Sequence, residues 1–201
     1  MLDEFEERHE RNTTLRNKLE EVPGFVSLVQ NVIKDNEYLE EMAHIDPLTG
    51  LYTRRILKKV RDYGTVIICD IDYFKKVNDN FGHEMGDEVL RKISYIIMNS
   101  IRIGDVACRY GGDEMVIILT TDNEHVVDTR INSICEKVRE SFNLPNFQVT
   151  LSVGVAFNRD NESLEKMIEK ADKALYQSKE NGKNQITYYN NEKVLVKDNN
   201  S

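Results

Sequence analysis

The tightest constraint in this chain is the stretch Arg109-Tyr110-Gly111-Gly112-Asp113-Glu114-Met115. Two runs of strand-forming residues, Ala107 to Tyr110 and Met115 to Leu119, meet through a Gly-Gly pair, which suits a tight hairpin turn at positive φ. Such a turn forces the runs antiparallel and leaves two acids at its tip. Neighbouring strand residues face opposite ways, so Asp113 and Glu114 are not expected to enter the same site. One is expected to do chemistry while the other supports it. A plain hairpin with solvated acids is the default reading of so short a stretch, and the rest of the chain has to decide between them.

The 201 residues suit one domain of about 150 residues with an appendage. A formal net charge of -8 leaves no electrostatic footprint for duplex nucleic acid or an anionic membrane. No nucleic-acid partner is expected, and an anionic substrate would need local lysines or a metal. No apolar run approaches the ~20 residues of a membrane span, and the acidic start lacks the regions of a signal peptide. No membrane insertion and a cytoplasmic location are therefore expected. Cys69, Cys108 and Cys135 show no metal-binding spacing and read as small, reduced, buried side chains. His9, His44, His83 and His125 are too scattered for a metal cluster.

Residues 1–43 are rich in charged side chains and divide at Pro23-Gly24, which predicts two helical pieces. The spacing Phe25, Val29, Val32, Asn36, Leu39, Ala43 makes a seam for a partner helix, with Asn36 able to set register in a parallel dimer. The same seam could instead pack on its own domain. A domain boundary falls at His44, with Asp46 as N-cap and Pro47 at the first position of a helix running to about Tyr63. The main domain is expected to span 44–189 and a polar tail 190–201. Within it, Thr65 to Asp70 reads as a buried strand. Phe74 to Asn80 reads as a helix, Gly82 to Asp87 as a loop, and Glu88 to Arg102 as a helix with Leu90, Ile93, Ile97 and Ile101 on its apolar side. After the hairpin come a helix (about Glu124 to Phe142), a strand (Gln148 to Phe157), a helix (Leu164 to Glu180) and a strand near Gln185 to Tyr189. Alternating strands and helices around an antiparallel hairpin predict an α+β fold with a mixed central sheet wrapped by helices.

Three acids stand where strand ends could gather them: Asp70, Asp72 and Asp113. Converging carboxylates suit Mg²⁺ or Mn²⁺. A calcium loop is excluded, because Phe74 and Lys75 stand where it needs an oxygen ligand and a glycine. Tyr73, Phe74 and Lys75 would open a helix whose backbone N–H groups can cradle phosphate. Lys179 and Lys183 flank Asn181-Gly182 at a helix end, where cations are favourable in any case.

Six blocks in order now carry a longer match. They are Asp46-Pro-Leu-Thr-Gly-Leu-Tyr-Thr-Arg-Arg55, Asp70-Ile-Asp-Tyr-Phe-Lys-Lys-Val-Asn78, Gly82-His-Glu-Met-Gly-Asp87, Arg109-Tyr-Gly-Gly-Asp-Glu114, Leu151-Ser-Val-Gly154 and Ala171-Asp-Lys-Ala-Leu-Tyr176. Over about Asp46 to Tyr188 the chain resembles the GGDEF-domain diguanylate cyclases, whose fold is related to nucleotide cyclases and polymerase palms. The resemblance implies condensation of two GTP into cyclic di-GMP with release of two pyrophosphates. It makes Asp70, Asp113 and the Ile71 carbonyl ligands of two Mg²⁺ (or Mn²⁺) ions per active site, and Asp113 also the proton acceptor. It places Asn78, His83 and Asp87 at guanine, and Lys75, Lys179, Lys183 and the Tyr73 and Phe74 amides at phosphate. Glu114 takes a supporting place. Arg102 and Asp105 fall at the spacing of the family's inhibitory site, which implies product feedback.

One GTP per domain implies that two domains must face each other, so a homodimer is needed for catalysis, and residues 1–43 become its natural dimerising and regulatory segment. Met115 stands where the family usually has phenylalanine, Thr53 where it often has asparagine, and Lys183 where it often has arginine; none of these removes a catalytic group. The rival expectation is a catalytically silent module that binds GTP or cyclic di-GMP.

Overall fold

The computed structural model describes residues 44–142, 144–189 and 194–197, together with positions 24, 27, 29–32 and 34. The chain divides into two units, Met1–Ala43 and His44–Ser201. In the first, positions 27, 29–32 and 34 are helical, and Val29 and Val32 of the expected seam are exposed. Phe25, Asn36, Leu39 and Ala43 of that seam lie outside the described residues.

The second unit runs β1 (Tyr52–Thr53), a 3-10 helix (Arg54–Lys59), β2 (Thr65–Ile71), α1 (Phe74–Phe81), α2 (His83–Met98), β3 (Val106–Arg109), β4 (Glu114–Leu119), α3 (Glu124–Glu140), β5 (Leu151–Phe157), α4 (Leu164–Glu180), β6 (Ile186–Tyr189) and β7 (Val194–Lys197). The strands form one mixed sheet in the order β1-β3-β4-β2-β5-β6-β7. The pairs β1–β3 and β5–β6 are parallel and the others antiparallel.

Strand β2 organises this sheet. Its sequence Thr-Val-Ile-Ile-Cys-Asp-Ile is apolar on both faces, and every residue of it is buried. A strand covered on both sides reads as a continuous hydrophobic run. Alternation then sends Ile67, Cys69 and Ile71 into a core with Val89, Leu90, Ile93 and Ile97 of α2 and Val127, Ile131 and Ile134 of α3. Val66 and Ile68 face the other way, onto Leu164, Met167, Ala171 and Leu175 of α4, with Ile56 and Leu57 of the 3-10 helix packed alongside. The result is the α+β architecture expected from the sequence. Asn123 and Ser163 accept hydrogen bonds from Val126 and Lys166 N–H, capping α3 and α4.

Four local expectations are corrected. The helix expected from Pro47 to Tyr63 is a turn, the short strand β1 and a 3-10 helix. Asp46 caps that turn rather than a helix, its Oδ1 accepting from Thr49 N at 2.9 Å and Thr49 Oγ1 at 2.7 Å. Burial of Leu51 and pairing of β1 with β3 outweigh the local helical pattern. The loop expected over Gly82 to Asp87 is the first turn of α2, because Gly82 at φ 86° bends the chain straight from α1 into the next helix. The Gly111-Gly112 turn is wider than a two-residue turn, and neither glycine is held at positive φ. Tyr110 and Gly111 N–H both donate to the Glu114 carbonyl, at 2.9 and 3.2 Å. The polar tail contains a strand: β7 pairs with β6 from Ile186↔Lys197 to Tyr189↔Val194.

The three cysteines are free and buried, as expected. Burial pushes the Cys69 thiol well above its ordinary range and those of Cys108 and Cys135 up to about 12. Met115 is buried at 1% exposure, filling the place of the larger ring without exposing the hairpin.

Helix α4 lies so close to β5 that a Cβ at Gly154 would sit 2.1 Å from the Ala171 carbonyl oxygen and 2.3 Å from Leu175 N. Both obstacles are backbone, so side-chain movement cannot relieve the clash. Gly154→Ala is expected to lower unfolding stability by about 3 kcal/mol, read as a lower urea midpoint. An unchanged midpoint would refute this packing.

Candidate active site

The sheet ends where β2 and the β3–β4 hairpin stop together. Asp70 is paired with Glu114 in the β2–β4 register, so both lie on the α4 face. Beyond the strand end, Ile71 N–H donates to the Asp113 carbonyl at 3.3 Å, drawing the tip of the hairpin over β2. Alternation therefore does not separate the two hairpin acids. Asp113 lies in the turn, outside the extended strand, and both Asp113 and Glu114 act on Asp70.

The electrostatics follow from that crowding. Burial pushes the Asp70 carboxyl above its ordinary value, Lys179 opposes the rise, and the charges of Asp113 and Glu114 add to it. Lys179 Nζ sits 2.7 Å from Asp70 Oδ2 and 4.0 Å from Glu114 Oε1. This lysine thus reaches the strand end from the last turn of α4, where sequence alone explained it as a helix-terminal cation.

Asp72 does not join the cluster. It is fully buried and accepts from Thr150 Oγ1 at 2.6 Å, Ser152 Oγ at 2.6 Å and Asn184 N at 2.9 Å. Its role is to tie β2 to β5 and to the loop after α4. The sequence carried a signal for this in the hydroxyls of Thr150 and Ser152, two residues apart and hence on one strand face.

The remaining candidate residues come from α1, the start of α2 and the loop after α4. Tyr73 precedes α1 in the left-handed region, at φ 55°, and no side chain caps that helix, so the Phe74 and Lys75 N–H groups of its first turn can serve as anion donors. Lys75 is exposed beside them. Lys183, itself at φ 68°, holds its Nζ 4.1 Å from the Tyr73 ring centroid. On α1, Asn78 lies against α2, where a Cβ at Gly86 would come within 1.9 Å of its Oδ1. Gly86 thereby seats Asn78 one residue from Asp87. His83 and Asp87 share a face of the first turns of α2. Asp87 also faces Arg91 at 3.9 Å.

Arg109 was not singled out by its sequence context. It braces the tip, donating from Nε and Nη2 to the Gly112 carbonyl at 3.1 and 2.8 Å, and its Nη1 lies 3.3 Å from Asp46. Burial alone would push Asp46 up, but hydrogen bonds from Thr49 and the Arg109 charge hold its carboxyl below the ordinary range.

Arg102 lies elsewhere, in the lining of a cavity of about 600 Å³ with Asn99, His125, Arg130 and Lys137 among others, and Asp105 is not part of that lining. Asp105 is committed to structure. It accepts from Arg102 N (2.9 Å), Thr120 N (3.0 Å), Thr120 Oγ1 (3.2 Å) and Arg130 Nη1 (2.6 Å). The basic groups around the cavity are thus Arg102, His125, Arg130 and Lys137.

Residues 43–185 match the family described as diguanylate cyclase, GGDEF domain. The chain belongs to the GGDEF diguanylate cyclase family. It is 31% identical to diguanylate cyclase A of Treponema denticola over 94% of this chain and 55% of that protein. It is 35% identical to diguanylate cyclase DosC of Escherichia coli K12 over 89% of this chain and 43% of that protein. The chain therefore spans about half the length of these curated relatives. Among solved structures it resembles the coiled coil and GGDEF domain of DgcB from Caulobacter crescentus in complex with c-di-GMP, with a TM-score of 0.71 and 29% identity over 87% of this chain and 99% of that one. It also resembles diguanylate cyclase SiaD of Pseudomonas aeruginosa in complex with its activator SiaC, with a TM-score of 0.69 and 28% identity over 92% of this chain and 77% of that one.

In this GGDEF domain the buried Asp72 network sets where the strand end and the α4 loop meet. Asp72→Asn would turn an amide donor toward donors already present, and is expected to cost about 2 kcal/mol of stability, measured by urea unfolding. An unaltered midpoint would show that the network does not anchor the loop.

Proposed function

We propose that the chain condenses two GTP into cyclic di-GMP, in the cytoplasm, each reaction joining a 3′-oxygen to an α-phosphorus. The new P–O bond forms as the bond to the β-phosphate breaks, so one pyrophosphate leaves per attack and two per product. Asp113 accepts the proton of the attacking hydroxyl. The observation that carries this reading is that Asp113 and Glu114 both bear on Asp70 at one strand end, where Lys179 lies 2.7 Å from Asp70.

The donor set suits Mg²⁺ or Mn²⁺, because these ions are held by one or two carboxylates and complete their shells with water and substrate phosphate. Among the described residues no three His, Cys, Asp or Glu side chains are grouped to hold a metal ion by themselves. Asp70, Asp113 and the Ile71 carbonyl would hold two ions, which would stabilise the attacking and leaving oxygens of the in-line displacement. The Tyr73 and Phe74 amides, with Lys75, Lys179 and Lys183, bind the triphosphate. Asn78, His83 and Asp87 bind guanine; the Asp87 carboxylate accepts from the N1 and N2 donors that adenine lacks. A site built on such bonds rejects analogues without them by ~10⁴ or more. Glu114 supports the site beside Asp70.

Each domain carries one such cleft, so ring closure needs a second copy bringing its own GTP, and residues 1–43 are proposed to hold the two together and regulate them. Tethering raises the effective concentration of the facing domains. Purified protein with GTP and Mg²⁺ is expected to yield cyclic di-GMP and pyrophosphate by mass spectrometry, and Asp113→Asn to lower the rate at least ~10³-fold. Nucleotide binding without product from the parent chain would instead make it a silent receptor.

Feedback by the product is proposed at Arg102 and Asp105. The basic cavity supports it, with Arg102 facing phosphate and Asp105 holding the turn and Arg130 in place. Arg102→Ala should weaken product inhibition by about tenfold, the worth of one charged hydrogen bond, with the uninhibited rate retained. Identical inhibition curves would remove the feedback assignment.

A further inference from the structure

Tyr73 is a bulky residue at φ 55°, a region that non-glycine side chains seldom adopt and that strains an aromatic residue. Strain of this kind persists only where the surroundings hold it, and it gathers at working sites. Here it is held from both sides. The preceding residue, Asp72, is locked by Thr150, Ser152 and Asn184 N. The Tyr73 carbonyl accepts from Lys76 N at 2.8 Å and Val77 N at 3.3 Å. The ring is half-exposed, and two ammonium groups lie over it: Lys183 at 4.1 Å and Lys76 at 4.5 Å from its centroid.

Two consecutive residues thus clasp two others: Asp72 holds the backbone of Asn184, and Tyr73 holds the side chain of Lys183. We infer that the Tyr73 ring is a positioning residue that keeps the Lys183 ammonium at the triphosphate site. This rests on the proposed role of Lys183 in binding phosphate. Lysine offers a point charge on a flexible four-carbon stem and loses freedom when it engages phosphate. An electron-rich ring at about 4 Å attracts that charge and leaves its N–H donors free on the outer side. The ring therefore restores some of the ordering that a planar, bidentate arginine would bring by itself. The backbone alone does not call for tyrosine, since asparagine adopts this φ with less strain.

The test compares Tyr73→Asn, which keeps the left-handed backbone without the ring, with Tyr73→Phe, which keeps the ring, each in the full chain and in a Lys183→Ala background. KM and kcat for GTP are measured with Mg²⁺, alongside the Kd of a GTP analogue whose α–β bridge is methylene. Tyr73→Asn is expected to raise KM and the analogue Kd about fivefold, in the range of a partly desolvated cation–π contact, with kcat within about twofold. Tyr73→Phe should match the parent chain, and the Asn penalty should vanish once Lys183 is Ala. An unchanged Kd in Tyr73→Asn, an equal loss in Tyr73→Phe, or the same penalty without Lys183 would each overturn the inference. If the parent chain binds the analogue but forms no product, the cyclase reading fails while the analogue affinities still decide the role of Tyr73. A parent chain that binds no analogue overturns both.

Discussion

The strand end that gathers Asp70, Glu114 and Lys179 depends on a second, interior carboxylate. Asp72 is wholly buried, and it remains so because two hydroxyls and a backbone N–H converge on it from β5 and from the loop after α4. Burying an acid without such donors would cost several kcal/mol. Satisfying it therefore forces three separate segments to one point. With that point set, Asp70 two residues earlier faces α4, and the last turn of α4 brings Lys179 within 2.7 Å.

Charge is concentrated here rather than spread. The chain carries a net charge of -8, yet Lys179 stands among the acids of the strand end, against Asp70 and Glu114, and Lys183 lies over the Tyr73 ring. Burial and the charges of Asp113 and Glu114 push the Asp70 carboxyl up, and Lys179 opposes that rise. The hairpin stays in position over this cluster because Arg109 holds the Gly112 carbonyl and reaches back to Asp46, near the start of the second unit. One guanidinium thereby joins the opening loop of the domain to the tip of the hairpin.

The segment leading into α1 shows a comparable economy. The segment Asp72-Tyr73-Phe74 supplies, in sequence, a buried anchor, a left-handed residue under two lysines, and the free amides of a helix start. Its conformation is strained, and the strain is supported by the anchor beside it.

Much of this was legible before any coordinates. The apolar run of β2, the helical spacing of α2, the hairpin and the six ordered motifs specified the mixed sheet and the family, because they depend on local periodicity and on chemistry written in adjacent positions. The sequence could not say that Asp72 turns into the interior while Asp70 serves the cleft, since both leave the same strand and only their neighbours differ. Nor could it show that Asp113 and Glu114 both bear on Asp70, which follows from the register Asp70↔Glu114 and from the wider turn. The helix expected after Pro47 was lost to β1 pairing and to the burial of Leu51, and the loop at Gly82 to a helix that begins at once. The partners of Arg109, Lys179 and Asp105 lie 63, 109 and 25 residues away along the chain. Such pairings are decided by which elements the hydrophobic core packs together, so only the tertiary structure could assign them.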